Sequence, residues 1–176
     1  MNLDFLTYDL LIKKNSFDGP VVVTGAGGCI AAWVLTILHR SQIPCIAVDL
    51  SDNKDRLELL LGNDTKKIDW KICDITHLEK LSKIITSYKP SAIIHLAGLQ
   101  VPFCAENPAL GARVNVEGTI NILEIAKKAN IKRTVYASSV AALGFPPNGP
   151  WKETLYGAYK LANEHTAFIY WSDWQV

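Results

Sequence analysis

The chain has 176 residues, of which 49% are hydrophobic and 20% charged, so it can build the core of one domain and is not a disordered protein. Eighteen basic against 17 acidic residues leave a formal net charge of +1, which gives no electrostatic case for binding nucleic acid or an anionic membrane. The apolar run over residues 31–38 is interrupted by Thr36 and is too short to span a bilayer, so we expect no transmembrane segment.

Residues 1–19 are predicted to be an N-terminal extension ahead of the main domain at 20–176. A weakly amphipathic stretch carries Leu3, Leu6, Leu10 and Leu11, and a polar break follows over residues 13–19. This extension is either a docking helix or a mobile segment, and the sequence favours neither. Acidic residues within the apolar stretch and the absence of a leading positive charge argue against a secretory signal, so we expect a cytoplasmic protein.

The four cysteines have no CxxC spacing and the four histidines are scattered, which indicates neither a zinc site nor a disulfide framework. We therefore expect four buried thiols and no metal.

From Gly19 onward the sequence alternates predicted strands and helices. Strands are predicted at about 21–24, 44–48, 67–73, 93–94 and 134–138, and helices at about 30–38, 55–61, 78–85, 109–129 and from Tyr156 onward, with Thr76 capping the helix at 78–85 and a loop at 101–108. Repeated βα units with apolar strands predict an α/β fold, a doubly wound parallel sheet with helices on both faces.

The segment VVVTGAGGCI at 21–30 is predicted to form a strand, a glycine turn and a helix N-terminus. Its β-branched residues suit a strand buried on both faces, and Gly25, Gly27 and Gly28 let the backbone approach a ligand closely. The positive end of the helix dipole and the first free N–H groups point at this turn. The segment therefore predicts a phosphate site.

Other notable residues follow the remaining strands, where ligands bind in such sheets. Asp49 comes 24 residues after Gly25, where a carboxylate can accept hydrogen bonds from an adenosine ribose and repel a 2′-phosphate. This favours NAD over NADP, although Asp49 could instead cap the polar turn at 51–53. Asp74 either holds the adenine amino group or starts the turn before Thr76.

Tyr156 and Lys160 are predicted to share one face of the last helix, since they are four residues apart. A lysine ammonium beside a phenol favours the phenolate, which can exchange a proton with a substrate hydroxyl during hydride transfer. The same spacing is common on solvated helix faces. Ser139, at the end of the fifth predicted strand, could orient the substrate oxygen and favours the catalytic interpretation.

These motifs together resemble the extended short-chain dehydrogenase/reductase family, the NAD-dependent epimerase/dehydratase group, from Val21 to the end of the chain. The resemblance is carried by TGAGGCI, the acid at Asp49, CDIT with Asp74, HLAG at 95–98, NVEGT at 115–119, YASS at 136–139 and YGAYK at 156–160. It implies a Rossmann-type fold and an NAD site formed by Gly25, Gly28, Cys29, Ile30, Asp49, Asp74, Ile75, Leu96, Ala97 and Gly98, together with Tyr156 and Lys160.

The resemblance further implies that Tyr156 is the acid/base, that Lys160 lies on the nicotinamide ribose, and that Ser139 rather than Ser138 contacts the substrate. It also implies a homodimer through helices near 109–129 and 156–174. The apolar positions for that contact, which a monomer core would share, are Val114, Ile122, Ile125, Leu161, Phe168 and Ile169.

The sequence departs from the family pattern at three places. Ala31 replaces a common glycine, which we expect to require only a small adjustment. The segment between Ser139 and Tyr156 is short, either through a shortened loop or because residues are absent. The chain ends at Val176, before the sixth strand and the substrate-binding portion that the family implies.

The sequence therefore predicts an NAD-dependent oxidoreductase or epimerase acting on a secondary alcohol of a small-molecule substrate. The resemblance implies a sugar, nucleotide sugar or uronate. The alternative is a dinucleotide-binding module without turnover, which senses NAD or mediates association.

Overall fold

A computed structural model describes residues 10–144, 146–150 and 152–176. Five strands form one parallel sheet in the order β3-β2-β1-β4-β5. The strands are β1 (Val21–Thr24), β2 (Cys45–Asp49), β3 (Asp69–Ile72), β4 (Ala92–His95) and β5 (Arg133–Tyr136). The order reverses between β1 and β4, and the predicted doubly wound α/β fold is confirmed.

Helices connect successive strands and cover both faces of the sheet. They are α1 (Cys29–Arg40), α2 (Asp55–Leu61), α3 (Leu78–Ser87), α4 (Val101–Glu106), α5 (Pro108–Ala112), α6 (Gly118–Ala129) and α7 (Leu155–Trp174), with 3-10 turns at Lys14–Ser16, Gly62–Lys67 and Val140–Gly144. No helix within the described ranges is long and apolar enough to cross a membrane.

The core lies in two clusters, one on each face of β1. Val21 and Val23 face the side covered by α1, while Val22 faces α3 and α6. All four residues of β1 are buried, as expected for a central parallel strand. This burial fixes β1, and therefore the turn after it, at the middle of the sheet.

The predicted loop at 101–108 is wrong, because these residues contain α4 and the first residue of α5. Proline is tolerated in the first turn of each helix, and the Asn107 side chain caps α5 by accepting from Leu110 N. The predicted long helix at 109–129 is confirmed as a continuous helical segment, which runs from α5 through a π-helical turn at Arg113–Glu117 into α6. The π-helical turn contains the buried Asn115.

One helix-cap prediction and one strand-end prediction also need correction. Thr76 does not cap α3; instead its N–H donates to Asp74 Oδ1 at 2.8 Å, an Asx turn. β5 ends at Tyr136, so Ser138 and Ser139 follow the strand rather than end it. The segment is turned toward α7 by side-chain contacts that the sequence pattern did not indicate.

The described part of the N-terminal extension lies along the amino ends of the strands, opposite the glycine turn. Ile12 N donates to Ser41 Oγ at 3.1 Å, and Arg133 Nη1 donates to the Ser16 carbonyl at 2.7 Å. The Phe17 ring packs on the α1 side of the core. Most of the predicted amphipathic stretch, residues 1–9, lies outside the described residues.

Candidate functional site

The glycine turn after β1 is fitted closely against the loop after β4. Gly25 has φ +69°, and a Cβ on it would lie 2.6 Å from Ala97 N. Gly28 N donates to the Gly25 carbonyl at 2.9 Å, which closes the turn before α1. A side chain at Gly25 would collide with the backbone of this loop, so the glycine lets the two loops approach closely at the point where the strand order reverses.

Helix α1 begins directly after this turn, with Gly28 as its N-cap residue. Cys29 and Ile30 are its first two residues and both are exposed, and the N–H groups of a first helical turn have no partner within the helix. Such N–H groups bind phosphate. Ala31 is buried against β1, so the alanine that replaces the common glycine is accommodated in the core.

Burial of all four thiols, expected from the sequence, is wrong for Cys29, which is exposed, and for Cys45, which is half-buried. In the described part of the chain no group of three or more potential metal ligands converges.

Asp49 holds the glycine turn from the β2 side. Its Oδ2 accepts from Gly27 N at 2.9 Å and its Oδ1 accepts from Ser51 N at 3.2 Å. Arg56 Nη1 donates to the Gly27 carbonyl at 2.8 Å, so Gly27 is held through both of its polar backbone groups. A carboxylate has about four acceptor positions, so ribose hydroxyls can still donate to Asp49.

The loop after β3 places Asp74 at the same edge of the sheet, with its carboxylate in the Asx turn to Thr76. The Ile75 side chain is buried against α3 and α6, so its backbone rather than its side chain can face a ligand. Both acids that the sequence singled out therefore make local turn contacts as well as lying at the carboxyl ends of strands.

The loop after β4 carries Leu96, Ala97 and Gly98. Leu96 and Ala97 pack against opposite core clusters. A Cβ on Gly98 would lie 2.7 Å from Asn115 Oδ1 and 3.9 Å from Lys160 Nζ. Asn115 also fixes the next residue, because its amide exchanges two 3.0 Å hydrogen bonds with the backbone of Leu99.

A buried polar chain lies beneath this loop. His95 Nδ1 is 2.6 Å from Thr24 Oγ1 and its Nε2 is 3.2 Å from Thr119 Oγ1. Asn163 Nδ2 donates to the Asn115 carbonyl at 2.9 Å and extends the chain into α7. Burial, aided by the charge of Lys160, lowers the pKa of His95 from 6.5 to about 3, so the imidazole is neutral at physiological pH.

Tyr156 and Lys160 lie on one face of α7, as predicted. Lys160 Nζ is 5.5 Å from the centroid of the Tyr156 ring and donates to the Ala137 carbonyl at 2.6 Å. Burial lowers the pKa of Lys160. The Thr154 side chain caps α7 by accepting from Gly157 N at 3.0 Å, which sets where the helix and its Tyr156 face begin.

The two serines after β5 have different partners. Ser138 Oγ donates to Glu164 on α7, whereas Ser139 Oγ accepts from Ala141 N at 3.2 Å, which leaves its O–H to donate. The following 3-10 turn packs on α7, where a Cβ on Gly157 would collide with the Ala141 carbonyl oxygen. The segment with Ser139 is therefore attached to the helix that carries Tyr156 and Lys160.

Sequence reasoning missed the supporting residues Thr24, Thr119, Asn115, Asn163 and Glu164. Asn115 and Thr119 lie within the NVEGT motif, but the motif by itself assigns no role to either side chain. Their roles depend on contacts between segments distant in the chain.

The chain is similar to known proteins in sequence and in fold. The model of the NAD dependent epimerase/dehydratase family matches residues 21–176. Bifunctional protein GAL10 of Kluyveromyces lactis is 33% identical over 135 residues, covering 73% of this chain and 19% of that protein. UDP-glucose 4-epimerase 2 of Oryza sativa is 30% identical over 157 residues, covering 82% of this chain and 38% of the rice enzyme.

Solved structures with the same fold include an L-threonine dehydrogenase from Clostridium difficile, with a TM-score of 0.74 and 27% identity, covering 90% of this chain and 50% of that one. A UDP-glucose 4-epimerase from Thermotoga maritima, solved with UDP-glucose, has a TM-score of 0.77 and 24% identity, covering 89% and 52%. This second likeness shows the fold alone. The chain spans about half the length of these solved structures.

Proposed function

This chain belongs to the NAD dependent epimerase/dehydratase family, and from that premise we propose that it is the NAD-binding part of an enzyme that transfers hydride at a secondary alcohol. We propose a sugar, nucleotide sugar or uronate as the substrate. Support for a nucleotide sugar comes from the relatives named UDP-glucose 4-epimerase, and the family itself is described by its NAD dependence.

The residues present suit an NAD molecule. Gly25 and Gly98 allow close packing at the carboxyl edge of the sheet, where a Cβ on either would collide with protein atoms. The α1 N-terminus offers N–H donors for a pyrophosphate, and Asp49 offers acceptors for a ribose. When bound, NAD supplies the hydride acceptor or donor. Gly28, Cys29, Ile30, Asp74, Ile75, Leu96 and Ala97 are proposed to complete its binding site.

The proton chemistry is assigned to three side chains of this chain. We assign Tyr156 as the acid/base, whose phenol oxygen takes a proton from the substrate hydroxyl or returns one to it. Lys160, held by the Ala137 carbonyl, places positive charge beside the Tyr156 ring, where it attracts the negative charge that develops as the proton leaves. Ser139 donates its O–H to the substrate oxygen and orients it for that exchange.

The observation that supports this proposal most strongly is the position of Lys160. Its ammonium group lies beside Tyr156 and near Gly98, and it donates a hydrogen bond to the Ala137 carbonyl. Tyr156→Phe should lower turnover of UDP-glucose by roughly 100-fold or more, because general acid–base catalysis contributes ~10²–10⁴-fold. NAD affinity should stay within about twofold, measured by calorimetry.

The matched control is Tyr159→Phe, on the same helix, which removes only the hydrogen bond from the Tyr159 hydroxyl to the Pro108 carbonyl. We expect this variant to keep its turnover. Equal turnover in the wild type and Tyr156→Phe, or a wild type that binds NAD without turnover of any tested sugar nucleotide, would contradict catalysis by this chain.

Asp49→Ala tests the preference for NAD over NADP. Loss of a carboxylate beside the ribose should weaken NAD binding and relieve repulsion of a 2′-phosphate. The ratio of NAD affinity to NADP affinity should therefore fall by about tenfold. Asp52→Ala, in the same loop but paired with Lys54 at 2.7 Å, should leave the ratio unchanged. An unaltered ratio in Asp49→Ala would remove Asp49 from cofactor selection.

A dinucleotide-binding module without turnover is the second candidate. The α1 N-terminus and the Asp49 carboxylate, which suit NAD, would serve such a module equally well. NAD binding with no catalytic difference between the wild type and Tyr156→Phe would support this candidate, so the same pair of proteins decides between the two.

We also propose a homodimer through α6 and α7. Of the apolar positions that the sequence indicated, Ile122 and Ile125 are buried in the chain's own core, whereas Phe168 and Ile169 are exposed. Trp171 and Trp174 are exposed on the same helix. Light scattering tests this homodimer, and a monomer at high concentration would contradict it.

The cytoplasmic location stays a prediction from the sequence.

A further inference from the structure

The loop between β3 and α3 is anchored to α6 by a buried amide. Asn121 Nδ2 donates to the Ile75 carbonyl at 2.9 Å, which joins residues 46 positions apart in the chain. The Asn121 side chain is buried, and an unmet carbonyl in such surroundings costs about 1–3 kcal/mol. The backbone at Ile75 is therefore held by α6 rather than by its own loop alone.

Gly118 holds the same residue from one helical turn earlier. A Cβ on Gly118 would lie 2.5 Å from Ile75 Cδ1, so the glycine provides the space that the Ile75 side chain occupies. The carbonyl of Ile75 points to Asn121 and its side chain packs over Gly118. Two points on α6 thus fix both the position and the orientation of Ile75.

Fixing Ile75 also fixes its neighbours in the chain. Asp74 is joined to Ile75 by a rigid planar peptide, and its Oδ1 accepts from Thr76 N at 2.8 Å. The Asx turn and the Asn121 contact leave this short loop little freedom to move. Asp74 is the residue that the sequence offers as a partner of the adenine amino group, and both Asp74 and Ile75 belong to the NAD site proposed above.

We propose that Asn121 is a positioning residue for the adenine half of NAD, acting through Ile75 and Asp74 without touching the cofactor. This inference rests on the proposed NAD function. A loop that is ordered before binding does not lose that entropy on binding, so its anchor contributes to affinity.

The test measures binding of AMP and of NAD to Asn121→Ala by calorimetry. Both affinities should fall by the same factor, about tenfold, since AMP carries the half of NAD that this loop meets. Asn121→Leu keeps the number and branching of the side-chain heavy atoms, removes the donor and should give the same loss. Hydrogen exchange of the amides at 73–77 should quicken in both variants.

Asn163→Ala is the matched control. Asn163 is also a buried asparagine that donates to a backbone carbonyl, that of Asn115, but it lies on α7 beside the loop after β4. Its loss should lower the melting temperature while AMP affinity stays within about twofold. A merely structural role of Asn121 would therefore lower the melting temperature without changing the AMP affinity.

Three outcomes would overturn the inference. If the wild type binds AMP and NAD and both Asn121 variants bind AMP with unchanged affinity, Asn121 has no positioning role, and the proposed function still holds. An equal loss of AMP affinity in Asn163→Ala shows general destabilisation instead. A wild type that binds neither AMP nor NAD overturns the proposed function together with this inference.

Discussion

Gly25→Ala is expected to lower NAD affinity by about 100-fold or more, or about 2.7 kcal/mol, and to destabilise the fold. Two effects combine at this position. The backbone has φ +69°, which side chains rarely adopt, and the new Cβ would lie 2.6 Å from Ala97 N and 2.7 Å from Leu96 C. Backbone atoms cannot rotate away, so the loop after β4 must move away from the glycine turn. Calorimetry with NAD and urea unfolding measure the two effects.

Gly62→Ala separates backbone strain from collision. Gly62 has φ +53°, and a Cβ on it would have no neighbouring atom within 4 Å, so alanine there meets the strained backbone alone. It should cost about 1–3 kcal/mol of unfolding free energy and leave NAD affinity unchanged. If Gly25→Ala binds NAD as well as Gly62→Ala does, the close approach of the two loops is not needed for the site.

Acidification from pH 7 to pH 5 is expected to destabilise the protein by about 2 kcal/mol through His95 alone. Burial holds the pKa of His95 at about 3 in the folded state, against an ordinary value of 6.5. Between these values the unfolded chain binds a proton at this histidine that the folded chain does not bind. The contribution of His95 is therefore complete above pH 6.5 and falls by about 1.4 kcal/mol per pH unit below it.

His95→Gln removes the titrating ring, so its urea-unfolding free energy should change less between pH 7 and pH 5 than that of the wild type, by about 2 kcal/mol. Comparing each protein with itself at two pH values removes the constant cost of the substitution. His165→Gln, at an exposed position on α7, should keep the wild-type change. An equal change in all three proteins would show that the acid sensitivity arises elsewhere.

Local sequence patterns predicted the sheet well because parallel strands need apolar, β-branched residues. Val21, Val22 and Val23 are fully buried, and α2 has the bounds that its sequence indicated. The glycine turn was also predictable, because a short strand-to-helix turn needs a residue with positive φ and glycine adopts that conformation readily. Gly25 has φ +69°. Since parallel strands end at one edge, the sequence also predicted that Asp49 and Asp74 share that edge with the turn.

By itself, then, the sequence determined the α/β fold, the glycine turn and the Tyr156–Lys160 spacing, because each depends on residues near one another in the chain. The tertiary structure decided the bonds from Lys160 to Ala137, from Ser138 to Glu164 and from Asn121 to Ile75. These join segments 23, 26 and 46 residues apart, and such contacts form only when packing brings distant elements together, so no local pattern encodes them.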